Sequence, residues 1–183
     1  ARRAGISAAI AAALVAAGVW ALSHRAPASA TAPDAAPSAR SAVRAETDDL
    51  ASGTTNAGAR DAFVAGYRAW RDGDLQGAGT ELKRAIALDP SYAAAHLWLA
   101  LLNTADDLLA SRKDFQKAST GLDTLSAPNQ KLLAAFAPLI QQEPPDRAAC
   151  IAKLEGAARS ANTSYLWAWV GLARFDAEGP SPR

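Results

Sequence analysis

Residue types that could carry chemistry are few and scattered in this sequence. Cys150 is the single cysteine, and His24 and His96 are the two histidines. An intramolecular disulfide and a CxxC zinc site are therefore excluded, and a histidine-based metal site is disfavoured. Asp106 and Asp107 are adjacent, so on a helix they would point to different faces, and we interpret them as solvated carboxylates. Cys150 falls on an apolar helix face, which favours a structural role.

Catalytic sequence motifs are missing as well. The chain contains no Gly-rich phosphate loop and no GxSxG, HExxH or DxDxDG motif. We therefore expect no catalytic residue, no cofactor and no metal, and we expect that the chain is not an enzyme in its own right. An enzyme remains the least favoured of three hypotheses, and a convergent polar pocket would support it.

Charge and composition narrow the class of protein further. The 183 residues carry 19 basic and 18 acidic side chains, a net charge of +1, which gives no reason to expect nucleic-acid binding. About 48 residues are alanine, the strongest helix former and a poor strand former. The composition therefore predicts an all-α fold.

An uncharged apolar run of 17 residues spans positions 6–22. It lies at the short end of what can cross a bilayer as a helix, with Arg2 and Arg3 before it and Trp20 near its other end. A single-pass membrane anchor over residues 1–25 is the favoured interpretation. A secretory signal peptide and a buried helix of a soluble domain are the alternatives. The basic start places the rest of the chain outside the cytoplasm, but His24 and Arg25 at the far end leave the reversed orientation open.

Residues 26–58 are rich in alanine, proline, serine and threonine and show no periodic apolar face. So few large side chains cannot offset the entropy of ordering the backbone. We predict a disordered linker that holds a domain away from the membrane. A glycosylated or phosphorylated stalk is the alternative.

From residue 59 onward the apolar residues recur at helical spacing. Phe63, Tyr67 and Trp70 share one face of a first helix, and Leu75 begins a second helix. Asp89-Pro90 ends that second helix because proline disfavours helix at the residue before it. Ser91 is then the predicted cap of a third helix. Further helices are predicted over Ser111–Leu122, opened by a capping box of Ser111 with Asp114, and over Ala127–Gln141, Asp146–Ser160 and Tyr165–Phe175.

This arrangement resembles the tetratricopeptide repeat, a helical hairpin of roughly 34 residues. With Pro90 at the terminal proline of the repeat, small residues fall where the two helices of a hairpin approach closely, and large residues fall in the groove between hairpins. The predicted packing positions are Gly66, Ala78, Leu82, Ala85, Pro90, Leu99, Trp167 and Gly171. The resemblance implies an all-α, TPR-like hairpin solenoid over residues 59–176, followed by a short tail over 177–183.

Stacked hairpins form a concave groove that binds peptides or partner domains. Arg68, Arg71 and Asn103 lie on predicted first helices, where polar side chains can face the groove. His96 is a further candidate, although packing inside the domain is the favoured role for it. The leading hypothesis is a membrane-anchored module that binds a partner protein or peptide through this groove, with residues 6–22 in the membrane.

The order of a single span, an Ala/Pro linker and degenerate repeats also resembles the C-terminal half of bacterial eukaryotic-like serine/threonine protein kinases. The stretch LSAPNQKLLAAF is similar to a segment found in such proteins and in membrane-bound transcriptional regulators. This resemblance implies the bacterial inner membrane and an extracytoplasmic sensory part, with a catalytic or DNA-binding domain upstream. No kinase motif is present, so no catalytic residue is carried over.

Overall fold

The computed structural model describes residues 39–161 and 169–171, and this part of the chain is all-α. Seven α-helices follow one another in it: α1 Ala39–Leu50, α2 Ala57–Arg71, α3 Leu75–Leu88, α4 Ala93–Leu102, α5 Leu108–Thr120, α6 Ala127–Gln141 and α7 Arg147–Ala161. A short 3-10 helix, Leu122–Thr124, precedes α6, and residues 169–171 are also helical. The prediction of an all-α fold is confirmed over the described residues.

Short polar residues begin most of these helices. The side chains of Asn56, Asp74 and Asp107 each accept a hydrogen bond from a backbone N–H in the first turn of α2, α3 and α5. Ser126 does the same for α6. Such caps satisfy donors that have no partner within the helix.

Consecutive helices pack as hairpins: α2 with α3, α4 with α5, and α6 with α7. In the first hairpin, the turn contains Gly73 at φ 83°, a left-handed conformation suited to glycine. Gly66 lies where the two helices approach most closely. A Cβ on Gly66 would stand 3.2 Å from the backbone oxygen of Ala78 and 3.1 Å from Leu82 Cγ. The small residue predicted at this position is therefore needed for the helices to approach.

The central helix α4 is buried on all sides. Every residue from Ala93 to Leu101 is less than a tenth exposed, and the helix has no polar face. A helix that is apolar all round needs neighbours on every side. Its hairpin partner α5 and the preceding helix α3 cover part of α4, and α6 also packs against it.

Helix α1 corrects the prediction of a disordered linker, which included residues 39–58. Its last turn is buried through Thr47, Leu50 and Ala51. The same helix packs against α2 and α6. The local composition suggested that these small side chains could not offset the entropy lost when the backbone is ordered. In the structure, burial against distant segments of the chain offsets it. Residues 26–38 lie outside the described residues.

Two predicted helix starts are wrong. Ser91 does not cap α4, because the helix begins after Tyr92, and the Ser91 hydroxyl donates instead to Asp89 at 2.6 Å. Ser111 and Asp114 do not form a capping box, because α5 begins three residues earlier behind Asp107. By contrast, α6 has the predicted bounds and continues through Pro138, and α7 is displaced by one residue from its predicted bounds.

In the described part of the chain, no helix has both the length and the apolar character needed to cross a membrane. The predicted anchor over residues 1–25, the predicted packing residue Trp167 and the predicted tail 177–183 lie outside the described residues.

Candidate interaction site

Aromatic side chains from the first helices of the three hairpins belong to one buried cluster, which we call the aromatic floor: Tyr67 and Trp70 of α2, Trp98 of α4 and Phe136 of α6. Trp98 is central, with its ring centroid 5.2 Å from those of both Tyr67 and Trp70 in edge-to-face geometry. Tyr67 and Trp70 stack at 5.8 Å with their planes 24° apart. Edge-to-face and stacked pairs of this kind add to the stabilisation that burial gives.

The last turn of α1 covers one end of this floor, and polar contacts hold it there. The Tyr67 hydroxyl donates to Glu46 Oε1 at 2.7 Å. The Tyr92 hydroxyl donates to the backbone oxygen of Ala51, also at 2.7 Å. Leu50 and Ala51 are fully buried beneath these contacts. The carbonyl groups that a helix end leaves without intrahelical partners are therefore satisfied by side chains of other helices.

Asn129 of α6 connects this cover to the centre of the floor. Its Nδ2 donates to the backbone oxygen of Leu50 at 2.8 Å, and its Oδ1 accepts from Trp98 Nε1 at 3.0 Å. Asn129 is itself fully buried. One amide side chain thus satisfies two buried groups on two other helices, as buried polar groups require.

Trp169 covers the other end of the floor. Its ring stacks on Trp70 with centroids 5.3 Å apart and planes 20° apart. It also meets Phe136 edge-to-face at 5.4 Å and Trp98 at 6.0 Å. Trp169 and Val170 are both buried. The aromatic floor is consequently covered by the chain itself at both ends, and the open concave groove expected from the sequence is filled there.

The two covers differ in how their polar groups are satisfied. Trp70 Nε1 and Trp169 Nε1 are both buried, and neither has an acceptor in the part of the chain that the structure describes. Each buried donor left without a partner costs about 1–3 kcal/mol. Trp169 therefore adds ring contacts to the floor, but buried N–H donors are left without acceptors in the described chain. The polar contacts of α1 do not carry this cost in free energy.

Basic side chains lie next to the floor on α2. Arg68 and Arg71 are both exposed. The Arg71 guanidinium lies 6.0 Å from the centroid of the Tyr67 ring, at the outer limit of a cation–π contact. Arg60, near the start of the same helix, pairs with Asp48 of α1 at 3.6 Å. The candidates Arg68 and Arg71 are thus accessible at the edge of the aromatic floor.

His96 is not a groove contact, which corrects that candidate assignment. It is 2% exposed, with Nδ1 2.9 Å from Asp114 Oδ1 and Nε2 3.1 Å from the backbone oxygen of Pro90. Both partners are acceptors, so only a ring protonated on both nitrogens donates to both. His96 therefore joins α4 to α5 and to the turn before α4.

The remaining predicted positions have varied surroundings. Asn103 is half-buried at the C-terminal end of α4. Among the predicted packing residues, Ala78, Leu82, Ala85 and Leu99 are buried. Pro90 is exposed and contributes its carbonyl oxygen to His96. Gly171 is exposed, and a Cβ on it would contact no described residue within 4 Å, so packing against the described part of the chain does not explain a glycine there.

The groups considered for chemistry are either buried or exposed to solvent. Cys150 is fully buried, and this burial raises the pKa of its thiol to about 12, which leaves it un-ionised and weakly nucleophilic at neutral pH. Burial likewise raises the pKa of the Tyr92 hydroxyl. Asp106 and Asp107 are exposed, and Asp107 caps α5. No group of three potential metal ligands occurs among the described residues.

Two polar residues of the site were missed by the sequence analysis. Glu46 and Asn129 are isolated polar residues whose roles depend on contacts 21 and 79 positions away. Tyr67 and Trp70 of the floor were identified as sharing one helix face, but the sequence did not show which aromatic residues of other helices meet that face.

No known protein-family model matches the chain, and no curated protein and no solved structure shows significant similarity to it.

Proposed function

We propose that the chain is a membrane-anchored protein-interaction module of the tetratricopeptide-repeat type. Its partner would be a protein or peptide that binds where the first helices of the hairpins present the aromatic floor. Three features support the repeat assignment: consecutive hairpins, the close approach of α2 and α3 at Gly66, and buried small residues at the positions that the repeat requires. The anchoring part of the proposal depends on residues 6–22.

One observation supports placing the binding site at the aromatic floor. The aromatic floor joins α2, α4 and α6, and its Trp169 cover leaves two buried indole donors without acceptors. Tryptophan, tyrosine and arginine are also the residue types that dominate binding energy at protein interfaces, and Arg68 and Arg71 lie exposed beside the floor.

Site-specific photo-crosslinking in native membranes tests this proposal. A benzoylphenylalanine placed at Arg68 or Arg71 should crosslink to the same partner, since both positions are exposed on the helix that carries Tyr67 and Trp70. The matched control is Lys83, which is exposed on α3, the second helix of the same hairpin. Equal crosslinking from all three positions, or crosslinking from Lys83 alone, would contradict a site on the floor.

A further inference from the structure

Three aromatic side chains enclose the Trp169 ring, and we call this filled position the aromatic pocket. Trp70 forms its stacked wall, and Trp98 and Phe136 form its edges, with the three ring centroids 5.3 to 6.0 Å from that of Trp169. Each wall residue comes from a different hairpin. A flat aromatic ring therefore fits this position, and the chain supplies one itself.

The polar chemistry of the pocket does not match the ring that fills it. Trp70 Nε1 is buried and needs an acceptor, but the indole of Trp169 carries only a donor, which is also unpartnered in the described chain. At the centre of the floor the indole donor is satisfied, because Trp98 Nε1 donates to Asn129 at 3.0 Å. The unsatisfied N–H donor of Trp70 indicates that a better occupant would bring a hydrogen-bond acceptor.

The electrostatic surroundings favour the same chemistry. Tyr67 stacks on Trp70, and the Arg71 guanidinium lies 6.0 Å from the centroid of the Tyr67 ring. Arg71 is exposed, so its charge is available to an approaching group. A buried donor selects an acceptor, and the positive charge of Arg71 on the same helix favours an anionic acceptor such as a carboxylate.

We propose that the pocket under Trp169 is the specificity pocket of the interaction site, and that Trp169 is an exchangeable occupant. The partner segment inserts an aromatic side chain between Trp70 and Phe136 and places a carboxylate or carbonyl oxygen, carried beside that side chain, on Trp70 Nε1. This inference rests on the proposed function, because it specifies the partner of the same site. The exchange is favourable because the new occupant satisfies a donor that Trp169 leaves unpaired.

Indole-3-acetate and 3-methylindole form a matched pair of probes. They share the indole ring, and only the first carries an acceptor on a flexible arm. In the full chain with Trp169→Ala, indole-3-acetate should bind about fivefold more tightly than 3-methylindole, which corresponds to one additional hydrogen bond. In the double variant W70F/W169A the preference should disappear, since phenylalanine keeps a ring in the wall and removes the donor.

Wild-type chain gives a second readout that needs no cavity-forming substitution. The indole N–H signal of Trp70 in proton NMR should move downfield on addition of indole-3-acetate, while that of Trp98, already bonded to Asn129, should stay in place. 3-Methylindole should leave both signals unchanged. This NMR measurement tests whether the acceptor of indole-3-acetate binds Trp70 Nε1, even where Trp169→Ala lowers the stability of the fold.

Equal affinity for the two probes would overturn the inference, as would a preference that survives Trp70→Phe or an unshifted Trp70 signal. These outcomes are separate from failure of the proposed function. If the probes select Trp70 but crosslinking beside the floor gives no partner, the pocket exists and its occupant is not a protein. If crosslinking succeeds but the probes do not select Trp70, the site stands and its specificity lies elsewhere.

Discussion

The two covers of the aromatic floor bury similar kinds of surface but satisfy their polar groups to different degrees. At the α1 end, Tyr67, Tyr92 and Asn129 each donate to an oxygen of the covering segment. At the Trp169 end, the contact is between rings, and two indole donors have no acceptor among the described residues. The polar contacts at the α1 end hold that cover in the fold, whereas the donors without acceptors at the Trp169 end are the reason for proposing exchange there.

The largest expected effect lies at the link between the first cover and the floor. Asn129→Ala removes the partners of both Trp98 Nε1 and the Leu50 oxygen and leaves two buried groups unpaired. The free energy of unfolding should fall by about 4 kcal/mol, given about 1–3 kcal/mol for each group and some loss of packing. Urea denaturation measures the change. Lys131→Ala, an exposed position on the same helix, is the control and should change the value little.

Removing the apolar anchor of α1 should have the next largest effect. Leu50 is fully buried, so Leu50→Ala should cost about 3 kcal/mol, within the range measured for leucine truncations in protein cores. The backbone amides of α1 should also lose protection against hydrogen exchange. Leu109→Ala makes the same chemical change at a position that is 80% exposed, where the cost should be small. Similar effects of the two substitutions would show that α1 is not part of the stable fold.

Two substitutions of tryptophan by phenylalanine compare the covers directly. Trp98→Phe removes a paired donor and leaves Asn129 Oδ1 without its partner, so a destabilisation of about 2 kcal/mol is expected. Trp169→Phe removes an unpaired donor and keeps a ring on Trp70, so the loss of area is offset and the change should stay within about 0.5 kcal/mol. Thermal and urea unfolding of the pair provide the measurement. An equal loss of unfolding free energy for both variants would contradict the difference between the two covers, on which the proposed exchange of Trp169 depends.

The smallest effect concerns the segment that joins α1 to α2. Hydrogen bonds donated by the Ser91 and Thr54 hydroxyl groups lower the pKa of Asp89 below its ordinary value of 3.8. Because the pKa is lower in the folded state, the stabilisation is complete well above pH 3.8 and is lost as the pH falls through the folded pKa. The difference in unfolding free energy between wild type and Asp89→Asn should therefore be present at pH 6 and shrink toward pH 2. A difference that is constant with pH would contradict this role for the carboxylate.

Sequence periodicity predicted the helices that carry local signals, namely a capping residue and apolar residues at helical spacing. The bounds of α6 are as predicted, since Ser126 caps its start and its apolar residues recur at helical spacing. Helix α1 was missed because its local residues are mostly small and polar. Its burial depends on Leu50 meeting Asn129, 79 positions further along the chain. The position of His96 in the repeat leaves a groove contact open, because the sequence does not show that Asp114 and Pro90 enclose it in the structure.

Composition and spacing alone were enough to predict that this chain forms helices and that aromatic residues share a face of α2, and the resemblance to the repeat implied a small residue at Gly66. These properties depend on residues within one or two helical turns, or on the side-chain volume at a single contact. Tertiary structure alone decided that the floor is covered at both ends, that Asn129 pairs the centre of the floor with α1, and that Trp70 and Trp169 have donors without acceptors among the described residues. Those outcomes depend on which distant segments meet, because a buried polar group is satisfied or left unsatisfied by its neighbours in space.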